Sequence, residues 1–193
     1  MNVQHINIKF FVQNPASVRL DEYQSIFNTW IQRHLTEELL VDVAEYLHVH
    51  DGPGIVLIGH EANYSLDNTA GRLGLLYNRK APLEGSTQDK LVQAARAALI
   101  AARVLEKENG LKFDGQQAQI IVNDRLLVPN TIETFGVLEP DLKSFFGALY
   151  NDTGFELSHT PDPRTRFQVD VKAAAPFDVD SLLQNLGVEP VHA

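Results

Sequence analysis

Glu38 to Lys80 reads ELLVDVAEYLHVHDGPGIVLIGHEANYSLDNTAGRLGLLYNRK, and this stretch decides how the chain is read. It holds three strand-like runs, the sharpest turn signal and three of the seven histidines. In Leu39 to Val49, Val41, Val43, Leu47 and Val49 share one face, while Asp42, Ala44, Tyr46 and His48 share the other. Asp51-Gly52-Pro53-Gly54 is a turn, because proline presets φ and glycine tolerates positive φ. Ile55 to His60 is a continuous apolar run, the mark of a strand covered on both faces. Ala62 to Ala70 reads as a polar loop, and Arg72 to Arg79 as a further strand.

On the N-terminal side, residues 3–12 alternate, with Ile6, Ile8, Phe10 and Val12 on one face. Leu20 to His34 is a helix: Tyr23, Ile26, Phe27, Trp30 and Ile31 recur at helical spacing. On the C-terminal side, Ser86 and Asp89 form an approximate capping box for a long alanine-rich helix that Gly110 closes. A strand follows over Ala118 to Val122, then a helix over Pro140 to Tyr150 with its proline in the first turn. Phe155 to His159 and Arg166 to Val171 form a hairpin, and Val179 to Leu186 is the last helix.

As elements the chain is βαβββα followed by βαββα. At an offset of about 119 residues Tyr23 meets Leu142, Ile26-Phe27 meets Phe145-Phe146 and Trp30 meets Leu149. The match is confined to the first helix of each half. The expectation is an α+β protein of two ferredoxin-like βαββα halves, the first with an extra strand. They would share a mainly antiparallel sheet of about seven strands, with four helices on one face. The chain is expected to be a single compact domain, 1–193, with pseudo-repeat halves 1–112 and 113–187 and a flexible tail over 188–193.

The net charge of −9 argues against nucleic acid or an anionic membrane as partner, since phosphate binding needs a basic face. With no cysteine in the sequence, disulfides, thiolate nucleophiles and thiolate metal sites are excluded. The opening residues MNVQHINIKFF lack the basic and apolar regions of a signal peptide, so a cytoplasmic location is the expectation.

Three groups of residues could carry chemistry. If Gly52 and Pro53 form a two-residue hairpin loop, Glu45 falls opposite His60 on the apolar face. That pair suits a catalytic acid–base dyad, and equally a satisfied bridge in the core. His48 and His50, two apart on a strand, point the same way, as a divalent metal pair would. His60 could join them only through a bulge, and no complete metal motif is present; no cofactor is otherwise predicted. Arg72, Arg79 and Lys80 with Ser86 at a helix start suggest a site for a small anionic ligand. Tyr64 and Asp67, with Asn68, could line a pocket from the polar loop.

No fingerprint for nucleotides, for a serine nucleophile or for a zinc protease occurs. The reading is a non-catalytic small-molecule-binding or regulatory module. One alternative is a small, metal-assisted enzyme built on Glu45, His60, His48 and His50. The other is a structural protein that self-associates, as a homodimer, through sheet edges.

Overall fold

Strand parity sets the architecture. A computed structural model describes residues 3–189; most of the tail expected over 188–193 lies outside them. On β1 (Ile6–Val12), Ile6, Ile8, Phe10 and Val12 enter the core, and Asn7, Lys9 and Phe11 take the opposite face. Every partner strand repeats this. Ile8 lies opposite Tyr77 of β5 (Gly74–Arg79) and Ile120 of β6 (Phe113–Val122). Tyr77 lies opposite Tyr64 of β4 (Ala62–Asp67), which lies opposite Leu57 of β3 (Ile55–Gly59). Ile120 lies opposite Val169 of β8 (Phe167–Ala173).

With β2 (Leu40–Glu45) and β7 (Phe155–Ser158) at the edges, the sheet has eight strands in the order β2-β3-β4-β5-β1-β6-β8-β7, and each pairing is antiparallel. The α+β class, the shared antiparallel sheet and four helices are as the sequence indicates. The helices are α1 (Tyr23–Arg33), α2 (Thr87–Asn109), α3 (Ile132–Leu149) and α4 (Val179–Asn185). Their buried residues join the inward strand positions in one apolar core.

The eighth strand is β4, where a polar loop was expected. ANYSLD is polar only on one face: Ala62, Tyr64 and Leu66 enter the core, and Asn63, Ser65 and Asp67 turn away. Its strand ends, and the loop begins, at Asp67.

The β2–β3 connection also differs from the expected tight hairpin. β2 stops at Glu45, and nine residues pass before Ile55. The register pairs Glu45 with Ile55, and a bulge lies between Leu40 and Asp42. Asp51 and Gly54, both at positive φ, shape that loop.

Helix α3 begins well before the expected Pro140. Thr131 caps it, its hydroxyl accepting from the Thr134 N–H. Pro140 therefore sits inside the helix, where it supplies no N–H for the Gly136 carbonyl. Buried Leu138, Leu142, Phe145, Phe146 and Leu149 hold the helix across this break. Helix α2 has the expected caps: Ser86 and Asp89 bond reciprocally, and Gly110 takes a left-handed conformation.

Candidate functional site

Helices α1 and α2 do not close over the whole core. α1 lies over β2 and β3, and α2 over β1 and β5. His34 ends α1 in a left-handed conformation, and the chain then crosses residues 35–39 to reach β2. This crossing and α2 bound a cleft of about 830 Å³. Pockets of this size hold small organic ligands.

The floor is polar and ordered. Tyr64 and Tyr77 are cross-strand neighbours on β4 and β5, with ring centroids 5.2 Å apart in an edge-on arrangement. Both hydroxyls donate to Glu38, Tyr64 to Oε2 at 2.6 Å and Tyr77 to Oε1 at 3.0 Å. Gln93 of α2 donates to the Tyr77 oxygen at 2.8 Å. The parity that sends both tyrosines into the core also buries their hydroxyls, so each needs a partner. Glu38, just before the edge strand, supplies one acceptor to each.

Burial pushes the Tyr64 phenol well above its ordinary range, and the Glu38 charge adds to this. Burial likewise pushes Tyr77 up to about 12. Both therefore remain donors at neutral pH. Among the described residues, no Lys, Arg or His forms an ion pair with Glu38. Leu35, Val92, Ala97, Ile100 and Val188 give the cleft apolar walls. Glu37 and Asp89 line it too, as does Arg96, whose Nε and Nη2 both donate to the Leu186 carbonyl.

Of the residues singled out from the sequence, Tyr64 belongs to this cleft. Arg79 lies beside the Tyr77 hydroxyl, with its guanidinium committed to Glu61 at 3.1 Å and the Ala81 carbonyl at 3.0 Å. Lys80 is turned to the Gly59 carbonyl at 2.6 Å. Ser86 is occupied as the cap of α2. The Asp89 carboxylate accepts from the Ser86 N–H and hydroxyl, so the chain's own anion fills that helix start.

Asp67 and Arg72 belong to the opposite face of the sheet. Lys9 reaches across Gly74 to Asp67 at 2.5 Å, with both side chains buried. A Cβ at Gly74 would stand 2.5 Å from the Phe10 carbonyl oxygen and 2.9 Å from Lys9 Cε, so glycine lets both the neighbouring strand and the lysine pass close. Thr69 donates to Asp67 through its hydroxyl and its N–H. Arg72 stacks on Phe11 at 4.0 Å and donates to Asp170 at 2.7 Å, tying the two halves of the sheet together. Burial pushes the Lys9 ammonium below its ordinary range, against the pull of Asp67.

The structure does not bring Glu45 and His60 together. Glu45 is exposed opposite Ile55, and His60 is exposed with its N–H on the Leu39 carbonyl. The longer β2–β3 loop is the reason, since it moves the register away from a two-residue turn. His48 stacks on Tyr46, and His50 is exposed beside the Asp51 carboxylate at 3.3 Å. Both lie in that loop and not on a strand. Among the described residues no three His, Asp or Glu side chains are grouped as metal ligands would be.

The sequence reading missed Glu38, Tyr77, Gln93 and Lys9. For Lys9 a signal was present, as the one charge at the centre of a strand that is apolar apart from Asn7. Comparison with protein-family models, curated proteins and solved structures finds no match to this chain.

Proposed function

We propose that this chain is a small-molecule-binding protein whose ligand occupies the cleft between α2 and the crossing from α1 to β2. One observation carries the reading: a cleft of about 830 Å³ has apolar walls and a carboxylate held on its floor by two buried phenols. A few fixed polar groups in an apolar concavity are what small-ligand sites share. Ordering Glu38 in advance lowers the conformational cost of binding.

A catalytic reading has less support, because Glu45 and His60 are apart. Pairing through sheet edges also has less. Edge strand β2 exposes Val41, and Leu39 just before it is exposed too. Its bulge, and the Asp42 carboxylate that accepts from the Val43 N–H, interrupt the ladder an added strand would need.

We also read the halves as a duplicated split β-α-β unit. The positions matched at the offset of about 119 residues, Tyr23 with Leu142, Phe27 with Phe146 and Trp30 with Leu149, are buried in both helices. β1 and β6, the first strands of the halves, lie side by side at the centre of the sheet.

A thermal-shift screen of amines, acids, sugars and nucleotides tests the function, run on the native chain and on Ala97→Trp, which fills the cleft. The expected result is a ligand that raises the Tm of the native chain and not of the filled variant. A flat response across the screen, or equal shifts in both proteins, contradicts the reading.

A further inference from the structure

We infer that the ligand of this cleft is an amphipathic amine, with its protonated nitrogen on Glu38 and its apolar body against the walls; the inference rests on the cleft being a ligand site.

Charge points this way. Glu38 is a half-buried carboxylate fixed by two neutral donors and by no cation of the described residues. Phenols satisfy hydrogen bonding and leave the negative charge in place. A partly desolvated carboxylate normally has a counter-charge. Of the nearby cations, Arg79 is paired with Glu61, and Arg96, which also lines the cleft, donates to the neutral Leu186 carbonyl. Glu37 and Asp89 add negative charge to the lining. An anionic ligand would meet three carboxylates against the single guanidinium of Arg96 in the cleft.

Geometry agrees with charge. Each Glu38 oxygen accepts one phenol hydrogen, and a carboxylate has about four lone-pair sites. About two remain for an incoming donor, and an ammonium group has three N–H bonds to offer. Leu35, Val92, Ala97 and Ile100 surround the position with apolar surface. Excluding water there strengthens the ion pair and favours a carbon chain or ring behind the nitrogen. The Tyr64 phenol, donating to Oε2, holds the carboxylate plane still, so little freedom is lost when the amine docks.

Isothermal titration calorimetry near neutral pH tests this with three probes of one shape: hexylammonium chloride, 1-hexanol and sodium hexanoate. Each is titrated into the native chain and into Glu38→Gln, whose fold is checked by circular dichroism. The expected result is that hexylammonium binds the native chain at least about tenfold more tightly than hexanol. Glu38→Gln should lose that preference. The native chain alone gives a second readout: the preference should shrink between about 20 mM and about 0.5 M salt, as screening weakens a partly exposed ion pair. Hexanol or hexanoate binding as tightly as hexylammonium overturns the amine and leaves the cleft reading standing. A preference that survives in Glu38→Gln moves the amine site away from Glu38 and overturns the inference. No heat from any of the three probes, together with a flat thermal-shift screen, removes the cleft reading as well.

Discussion

Tyr64 and Tyr77 face each other across β4 and β5 and donate their hydroxyl hydrogens to the two separate oxygens of one carboxylate, Glu38. The residues are 26 and 39 positions from Glu38 in sequence. The sheet supplies the donors, and the crossing between α1 and β2 supplies the acceptor. The cleft floor is thus also a fastening between the core and the edge of the fold.

Removing either hydroxyl should loosen that fastening. Tyr64→Phe deletes a hydrogen bond to a charged group and should destabilise the chain by about 1.5–3 kcal/mol. Tyr77→Phe should cost a similar amount, since Gln93 also loses its acceptor. Urea midpoints measure both. Because the two bonds share Glu38, the double variant should depart from the sum of the single losses.

Alkaline pH should weaken the fold through the same tyrosines. Their folded pKa values lie above the ordinary value near 10, about 12 for Tyr77 and higher still for Tyr64. Unfolded chains release these protons first, so the folded state holds more protons above about pH 10. This contribution is fully present below pH 10 and is lost as pH rises through the folded values. Unfolding free energy measured at rising pH should fall from about pH 10 upward, and less steeply in Tyr64→Phe.

Acid should act through His159. Its Nε2 lies 2.7 Å from Asn130 Oδ1, and its ring stacks on Phe135. The Asn130 amide donates to the Thr160 carbonyl and Thr165, which fixes Oδ1 as the acceptor and His159 Nε2–H as the donor. The buried Nδ1 has no partner, and burial pulls the imidazole below its ordinary range. The unfolded chain takes up this proton first, so stability should decline as pH falls through about 6.5. Replacing His159 with Gln should flatten that limb of the stability profile.

On the opposite face, Lys9→Met leaves buried Asp67 without its cation and should cost about 3–5 kcal/mol. Lys9→Met with Asp67→Leu should recover much of the loss, because no charge is then stranded. By contrast, Glu45→Ala with His60→Ala should change stability by less than about 0.5 kcal/mol, as both are exposed and unpaired with each other. Thermal and urea unfolding of the three variants measures both expectations.

Much of the fold was legible because parity and helical spacing are local. Ile6, Ile8, Phe10 and Val12 announce β1, and Ser86 with Asp89 announces α2. β4 was legible too, in the alternation of ANYSLD, but its outward Asn63, Ser65 and Asp67 resemble loop residues. The register of β2 was not legible. Asp51-Gly52-Pro53-Gly54 has the composition of a tight turn, while the chain takes nine residues to make the reversal. That difference alone separates Glu45 from His60. The first half of helix α3 was hidden by Pro140, whose cost of about 3 kcal/mol is offset by apolar packing on both sides of it. The site was the least legible part. Tyr64 stood out in a supposed loop, but nothing within a few residues of Glu38 shows that two core tyrosines will point at it.

The central claim is that the cleft between α2 and the crossing from α1 to β2 takes a small molecule. Backbone amide chemical shifts of the labelled protein, followed while hexylammonium is added, test it most directly. The account predicts saturable changes confined to residues 34–38, 88–100, 187 and 188 and the strand positions of Tyr64 and Tyr77. Changes centred on the Lys9–Asp67 face, or scattered without saturation over the surface, would contradict it.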